Sequence, residues 1–399
     1  MSTTVVVGSS VGGVRTAQAL RRAGYDGEVL LVGEETRLPY DKPPLSKALL
    51  AGTVAEQDIG LLTEEAAGKA GIRLLLGRTA VRLDVAGGAV ELDGGERLPY
   101  DDVVIATGAS ARPSPWGQPA GVHLLRTMTD SAALREDLDA GGHLVVVGGG
   151  FIGAEVASTA RGLGLDVTIV DPVSVPMSRV LGIGVGELFC VLHRDNGVHT
   201  RFGIGVEGID GERGALRVLL TGGETLDASV VVVGIGASPN DAWLGSSGLL
   251  VDNGVVCDEH CRALDAPHVY AVGDVARWWH PRHDERVRAE HWTNAVEQAT
   301  AVAHTIAHPG EPRSYAPVEY VWSDQYGWRI QVVGRTGVGR HELVGDPADG
   351  RFAAIYSTDG ESLAGLVTVN WPKAMITARR ALVAGTPLAD VRATMHGII

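Results

Sequence analysis

The residues most ready for chemistry lie near the middle of the chain, where Val145-Val146-Val147 runs straight into Gly148-Gly149-Gly150-Phe151-Ile152-Gly153-Ala154-Glu155. Gly148, Gly150 and Gly153 make the spacing G-x-G-x-x-G between an apolar β-branched run and a helical pattern over residues 154–162. The first glycine permits a tight turn, the second lets backbone approach a pyrophosphate, and the third lets helix pack on strand. The helix start then offers amide donors to phosphate oxygens. A second run, Val167-Thr168-Ile169-Val170, ends in Asp171, about 20 residues on, where a carboxylate accepts from ribose hydroxyls. Strand, turn, helix and terminal acid together predict a dinucleotide site.

The chain opens on a comparable stretch, Val5-Val6-Val7-Gly8-Ser9-Ser10-Val11-Gly12-Gly13, followed by a helical pattern to residue 23 and a strand over residues 28–32. Ser10 stands at the middle glycine position, where its small side chain still admits a phosphate and its hydroxyl can donate to it. Glu34 and Glu35 follow the second strand, where the ribose acid belongs. Next come Leu38-Pro39-Tyr40-Asp41-Lys42-Pro43-Pro44-Leu45-Ser46-Lys47, a loop stiffened by three prolines, which suits a segment that must hold Lys47 in place. The strand-like run up to Ile105 ends in Ala106-Thr107-Gly108, a turn that returns to the first nucleotide; Val230-Val231-Val232-Val233-Gly234-Ile235-Gly236 is its counterpart in the second copy. Val269-Tyr270-Ala271-Val272 ends in Gly273-Asp274, a carboxylate placed for a ribityl hydroxyl of a flavin or for capping the next segment.

The elements that must position these residues are therefore two repeats of strand, glycine turn and helix. The expected fold class is α/β, with two Rossmann-like nucleotide-binding domains and an α+β C-terminal domain in which strand-like runs at 329–333 and 351–356 precede a helical pattern over 372–384. At 399 residues the chain exceeds a single core, and the motifs divide it as 1–112, 113–239, 240–316 and 317–399. A formal charge of −14 argues against nucleic-acid or anionic-membrane partners. No run reaches the roughly 18 apolar residues of a membrane span and no leader pattern precedes the first strand, so the expected location is cytoplasmic. Cys190, Cys257 and Cys261 include a C-x-x-x-C with only His260 beside it, so no metal site is expected.

This order of motifs resembles the flavoprotein pyridine nucleotide oxidoreductases, in which a flavin domain is interrupted by a nicotinamide domain and then resumes. Within them, residues 38–47, Gly273-Asp274, Glu290-His291-Trp292 and Val321-Trp322-Ser323-Asp324-Gln325-Tyr326 are similar to the ferredoxin reductases that serve cytochrome P450s and Rieske oxygenases. The resemblance spans essentially the whole chain. Disulfide reductases of the superfamily carry a redox cysteine in the loop that faces the flavin; residues 38–47 contain none, which disfavours thiol chemistry.

The resemblance implies an FAD-dependent NADH:ferredoxin reductase that passes electrons singly to an iron–sulfur ferredoxin, and through it to a monooxygenase or dioxygenase. It implies FAD along Gly8, Ser10, Val11, Gly12, Gly13, Glu34, Glu35, Lys42, Lys47, Val81, Ala106, Thr107, Gly108, Arg112, Gly273, Asp274, Glu290, His291, Trp292 and Trp322. It implies NADH along Gly148, Gly150, Phe151, Ile152, Gly153, Glu155, Asp171 and Gly236. Lys47 and Glu155 are the implied catalytic pair: a cation that favours charge arriving with hydride, and a carboxylate that orients the nicotinamide carboxamide. With Pro172 and Val173 after it, Asp171 favours NADH over NADPH. Arg282, His283, Arg286, Arg288, Arg313, Arg329, Arg335 and Arg340 are candidates for an acidic ferredoxin's docking patch. Two other classes stay open: an NADH oxidase or monodehydroascorbate-type reductase with a small acceptor, which the cysteine-free loop permits, and a redox-sensing interaction protein like apoptosis-inducing factor, which shares the layout.

Overall fold

The computed structural model describes residues 2–397. The chain forms two compact units: Met1–Lys42, Glu56–Ser110 and Ala237–Pro317 in the first, and Pro43–Ala55, Ala111–Gly236 and Val318–Ile399 in the second.

The first unit is built on a five-stranded parallel sheet in the order Ile72–Leu76, Glu28–Gly33, Thr3–Val7, Asp102–Ile105, Val269–Ala271. Chain order reverses direction at Thr3–Val7, and doubly wound sheets open a ligand crevice at such a switch point, beyond the carboxyl ends of the strands. Val5, Val6, Val103 and Val104 are fully buried, which is why these strands read as unbroken apolar runs rather than alternating ones. Helix Val11–Arg22 packs on helix Trp292–Ala307. Both bury small residues, Gly12, Gly13 and Ala17 on one and Ala295, Ala299 and Ala303 on the other, and small side chains set a short interhelical distance.

The second unit repeats the plan with His199–Phe202, Asp166–Asp171, His143–Val147, Val230–Val233 and Val122–His123 as parallel neighbours in that order. It also holds an antiparallel sheet in the order Tyr320–Gln325, Trp328–Gly334, Gly365–Val369, Arg351–Ser357, Arg340–Asp346. Side chains alternate across this sheet. Ala353, Ile355 and Leu366 pack with Trp371, Ala374, Ala378 and Met395 of the C-terminal helical segment. Phe352, Ala354, Tyr356 and Val367 pack with Leu181, Val185 and Phe189 of helix Ser178–Asp195. That helix breaks at Gly182 (φ 70°, ψ 166°), and the hydroxyls of Thr336 and Tyr356 donate to the Val180 and Leu181 carbonyls beside the break. Among the described residues no helix is long and apolar enough to cross a membrane.

The α/β class with two Rossmann-like sheets and a mixed C-terminal module is as expected. Strands Glu28–Gly33 and Asp166–Asp171 each slightly outrun the predicted spans, and helix Phe151–Gly162 begins three residues before the predicted 154, directly after its N-cap Gly150. Helix Ser178–Asp195 had no sequence expectation, because Gly182, Gly184 and Gly186 interrupt its pattern.

Two measurements check this packing. A Cβ added at Gly153 would sit 2.0 Å from the Gly148 carbonyl oxygen. Gly153→Ala therefore lowers Tm, the overpacking cost of about 1–3 kcal/mol exceeding the roughly 1 kcal/mol that alanine adds to a helix. His193, buried against Tyr326 with Nδ1 2.9 Å from the phenol oxygen, is pushed by burial down to about 4. An unfolded histidine titrates near ~6.5. Between those values the unfolded chain binds a proton that the folded chain refuses, so stability present above about pH 6.5 is lost as pH falls towards 4, by up to about 3 kcal/mol. Acid-limb denaturation curves of His193→Gln, which keeps an acceptor for Tyr326 and removes the titration, are expected to be flatter over that window.

Candidate functional site

In the second unit the glycine turn joins the central strand His143–Val147 to helix Phe151–Gly162. Protein atoms account for two of its three motif glycines. Gly148 has φ +106° and an added Cβ would lie 2.3 Å from the Gly234 carbonyl oxygen; Gly153 is held against Gly148 as described. An added Cβ at Gly150 would meet nothing within 4 Å. Nothing among the described residues requires glycine there, and the open space lies at the N-cap, beside amides that have no intrahelical acceptor. The helix has no acid in its first turn. This cradle fits a pyrophosphate. Ile152, apolar yet 47% exposed, sits in the same first turn, while Phe151 is half-buried against the core around Phe189. Asp171 ends its strand with Oδ2 accepting from the Gly149 amide (2.7 Å) and Oδ1 from the Val173 amide (2.8 Å), so the carboxylate is held at the rim of the turn with lone pairs left for hydroxyl donors.

One turn into the same helix, Glu155 is 4% exposed. Lys47 Nζ stands 2.7 Å from its Oε2, and the Ser46 hydroxyl donates to the same oxygen at 2.5 Å. Ser323 Oγ donates to Oε1 at 2.6 Å. The structure thus brings Lys47 and Glu155 together, as the resemblance implied, and adds Ser46 and Ser323, which carried no assigned role. Ser46 sits in the short 3-10 turn Pro43–Ser46, whose prolines preset φ. The loop is tied down further: Thr159 donates to the Ser46 carbonyl (2.8 Å), Ser131 to the Leu45 carbonyl (2.9 Å) and Arg135 to the Leu50 carbonyl (2.8 Å). Lys47 also donates to the Pro43 carbonyl (3.1 Å).

In the first unit Ser10 is the N-cap of helix Val11–Arg22, and its hydroxyl makes no capping bond. It lines a cleft with Ser9, Glu35, Arg37, Tyr40 and Lys42. The wall is set by Tyr40, whose hydroxyl donates to Glu35 (2.7 Å), and by Lys42, 3.6 Å from Glu35. Glu34 is exposed beside it. Gly8 and Gly13 repeat the close approaches of Gly148 and Gly153, with Gly8 against the Ala106 carbonyl, while Gly12 and Val11 stand in the helix's first turn. Serine hydroxyls, helix amides and a strand-end acid are a donor and acceptor set that fits a second dinucleotide.

The remaining candidates of this unit lie on its other segments. Thr107 exchanges bonds with Asn240, which fixes the turn Ala106-Thr107-Gly108 against the returning chain. Gly273 (φ +80°) donates from its amide to buried Gln298, and Asp274 follows in the same short turn. Arg288 bonds the Asp274 carbonyl and Glu290 (2.6 Å). His291 stands at the N-cap position of helix Trp292–Ala307, and Trp292 Nε1 donates to Asp41 (2.7 Å), anchoring the proline-rich loop.

Some candidates lie apart from these clusters. Val81 is half exposed at a bulge in the antiparallel strand Ala80–Asp84. Arg112 and Gly236 pair through backbone in the second unit. Trp322 stacks on Tyr320 with the Arg329 guanidinium 5.6 Å over its ring. Of the candidate docking cations, Arg288 is neutralised by Glu290 and Arg329 by Asp324 (2.8 Å). Cys190, Cys257 and Cys261 are all buried, and burial pushes each thiol up, so none is a ready thiolate.

Comparison with known proteins agrees with this geometry. Residues 2–299 match the pyridine nucleotide-disulphide oxidoreductase family, and residues 320–395 match the reductase C-terminal family. Rhodocoxin reductase of Rhodococcus erythropolis is 37% identical over 393 residues, which cover 98% of this chain and 91% of the relative. The ferredoxin–NAD(+) reductase subunit of the benzene 1,2-dioxygenase system of Pseudomonas putida is 38% identical over 403 residues, 99% of this chain and 97% of the relative. In the crystal structure of the covalent putidaredoxin reductase–putidaredoxin complex, the matching chain superposes with a TM-score of 0.92 at 34% identity, with 97% of this chain and 94% of that one covered. With two nucleotide cradles, a cysteine-free loop and full-length relatives, the chain belongs to the pyridine nucleotide-disulphide oxidoreductase family and carries its reductase C-terminal module.

Proposed function

We propose that this protein is an FAD-dependent NADH:ferredoxin reductase, taking electrons from NADH and delivering them singly to an iron–sulfur ferredoxin that feeds a cytochrome P450 or a Rieske oxygenase. The near full-length match to a reductase whose name pairs a ferredoxin with NAD(+) carries this assignment. The loop before Lys47 supports it, since it offers no cysteine to intercept the electrons. Bound FAD supplies the conversion from a two-electron donor to one-electron transfers. FAD is assigned to the first-unit turn around Ser10, with Glu35, Lys42, Thr107 and Asp274, and NADH to the second-unit turn around Gly150. The four-part division at 112, 239 and 316 goes with this assignment, as does a cytoplasmic location.

The chain's own residues have separate tasks. The amides at the start of helix Phe151–Gly162 bind the NADH pyrophosphate and Asp171 binds the adenosine ribose. Three donors already occupy Glu155, and a carboxylate has about four acceptor positions, so one remains for a single N–H donor such as the nicotinamide carboxamide. Lys47 brings its cation to where negative charge grows during hydride transfer.

The decisive assay is NADH-dependent cytochrome c reduction with each of the host's own ferredoxins added in turn; stimulation by at least one is expected, and NADH oxidation with ferricyanide but with no ferredoxin would favour a small acceptor instead. The catalytic efficiency with NADH is expected to exceed that with NADPH severalfold or more, and Asp171→Asn to narrow that gap through loss of like-charge repulsion. Equal efficiencies in the unsubstituted enzyme would remove the role of Asp171. Gly150→Ala, in contrast to Gly153→Ala, is expected to leave Tm unchanged and raise KM for NADH.

A further inference from the structure

Ser323 lies on the first strand of the C-terminal sheet, 168 residues beyond Glu155, and is fully buried. Its hydroxyl is the donor to Glu155 Oε1, whereas Lys47 and Ser46 both bind Oε2. Behind it Gln325, 1% exposed, donates from Nε2 to Ser323 Oγ at 3.1 Å. The Ser323 hydroxyl therefore accepts from one side and donates to the other, so its proton is directed at the carboxylate rather than free to rotate. Gln325 Oε1 is buried with no hydrogen-bond partner among the described residues.

We propose that Ser323, oriented by Gln325, is a positioning residue that turns the Oε1 edge of Glu155 towards the nicotinamide carboxamide, making the C-terminal module a determinant of nicotinamide placement. This rests on the assignment of the chain as an NADH-dependent reductase in which Glu155 meets that carboxamide. Lys47 and Ser46 together anchor one oxygen but leave the carboxylate free to rotate about its own axis. A third donor on the other oxygen fixes its plane, and with it the direction of the acceptor position still open. The adenosine half is assigned to the glycine turn and Asp171, so the proposal gives Ser323 no role in binding it.

The test compares NAD+ with ADP-ribose, which lacks the nicotinamide, by calorimetric titration of the oxidised holoenzyme, alongside the limiting rate of flavin reduction by NADH. Ser323→Ala is expected to weaken NAD+ relative to ADP-ribose by roughly three- to tenfold, the loss of one hydrogen bond to a charged group transmitted in part, and to lower the limiting reduction rate. ADP-ribose affinity itself is expected to stay unchanged, and Ser323→Thr, which retains a hydroxyl, to restore the ratio. Glu155→Gln serves as the reference. If it fails to move the ratio, Glu155 does not meet the carboxamide and the proposal falls with that contact. If it moves the ratio while Ser323→Ala does not, or if Ser323→Ala weakens both ligands alike, Ser323 is structural only and the proposal alone is overturned.

Discussion

A carboxylate withdrawn from water must find donors within the protein, and Glu155 finds them on two other segments far away in the chain. Burying an ion costs several kcal/mol even after relaxation, and a hydrogen bond to a charged group returns about 1.5–3 kcal/mol. One partner would leave Glu155 a liability; Lys47, Ser46 and Ser323 together offset the burial. The helix after the glycine turn, the proline-rich loop and the C-terminal sheet of the second unit are thereby bound to one point. The bonds from Thr159, Ser131 and Arg135 to backbone carbonyls of the loop follow from the same requirement, because a lysine held by a slack loop would not stay in line with its carboxylate.

The two parallel sheets use the same steric solution twice. Gly8 and Gly148 leave their strands with positive φ, and Gly13 and Gly153 let a helix lie against the turn. These four positions are dictated by backbone contacts and would be glycine whether or not a ligand bound. The middle position differs: Ser10 in one copy, Gly150 in the other, with no protein atom to decide between them at Gly150. That is where the two cradles become chemically distinct, one lined with a hydroxyl and the other with bare backbone.

Much of this was legible in the chain itself. Buried parallel strands must be continuous apolar runs, so Val5-Val6-Val7 and Val145-Val146-Val147 announced both sheets, and the glycine spacing announced both turns. The Lys47–Glu155 pair could be inferred only through resemblance, since no local pattern links residues 108 apart. Ser46 and Ser323 were passed over for a physical reason: a serine's role depends on what its hydroxyl meets, and serine carries no periodic signal. The broken helix Ser178–Asp195 was hidden by its own glycines, and the membership of residues 43–55 in the second unit is a matter of long-range contacts that a linear sequence does not display.

The three-segment anchorage of Glu155 also orders events at the ribosome. The loop with Ser46 and Lys47 emerges 109 residues before Glu155 in the case of the serine, and Ser323 emerges 168 residues after it. At a synthesis rate of about 5–20 residues per second, the last of these intervals lasts roughly 10–30 s. During that time the carboxylate and its lysine exist without the hydroxyl that completes their setting. The second unit thus has an intrinsic late step, the arrival of the C-terminal sheet, and until then the nascent chain lacks part of the carboxylate's final setting.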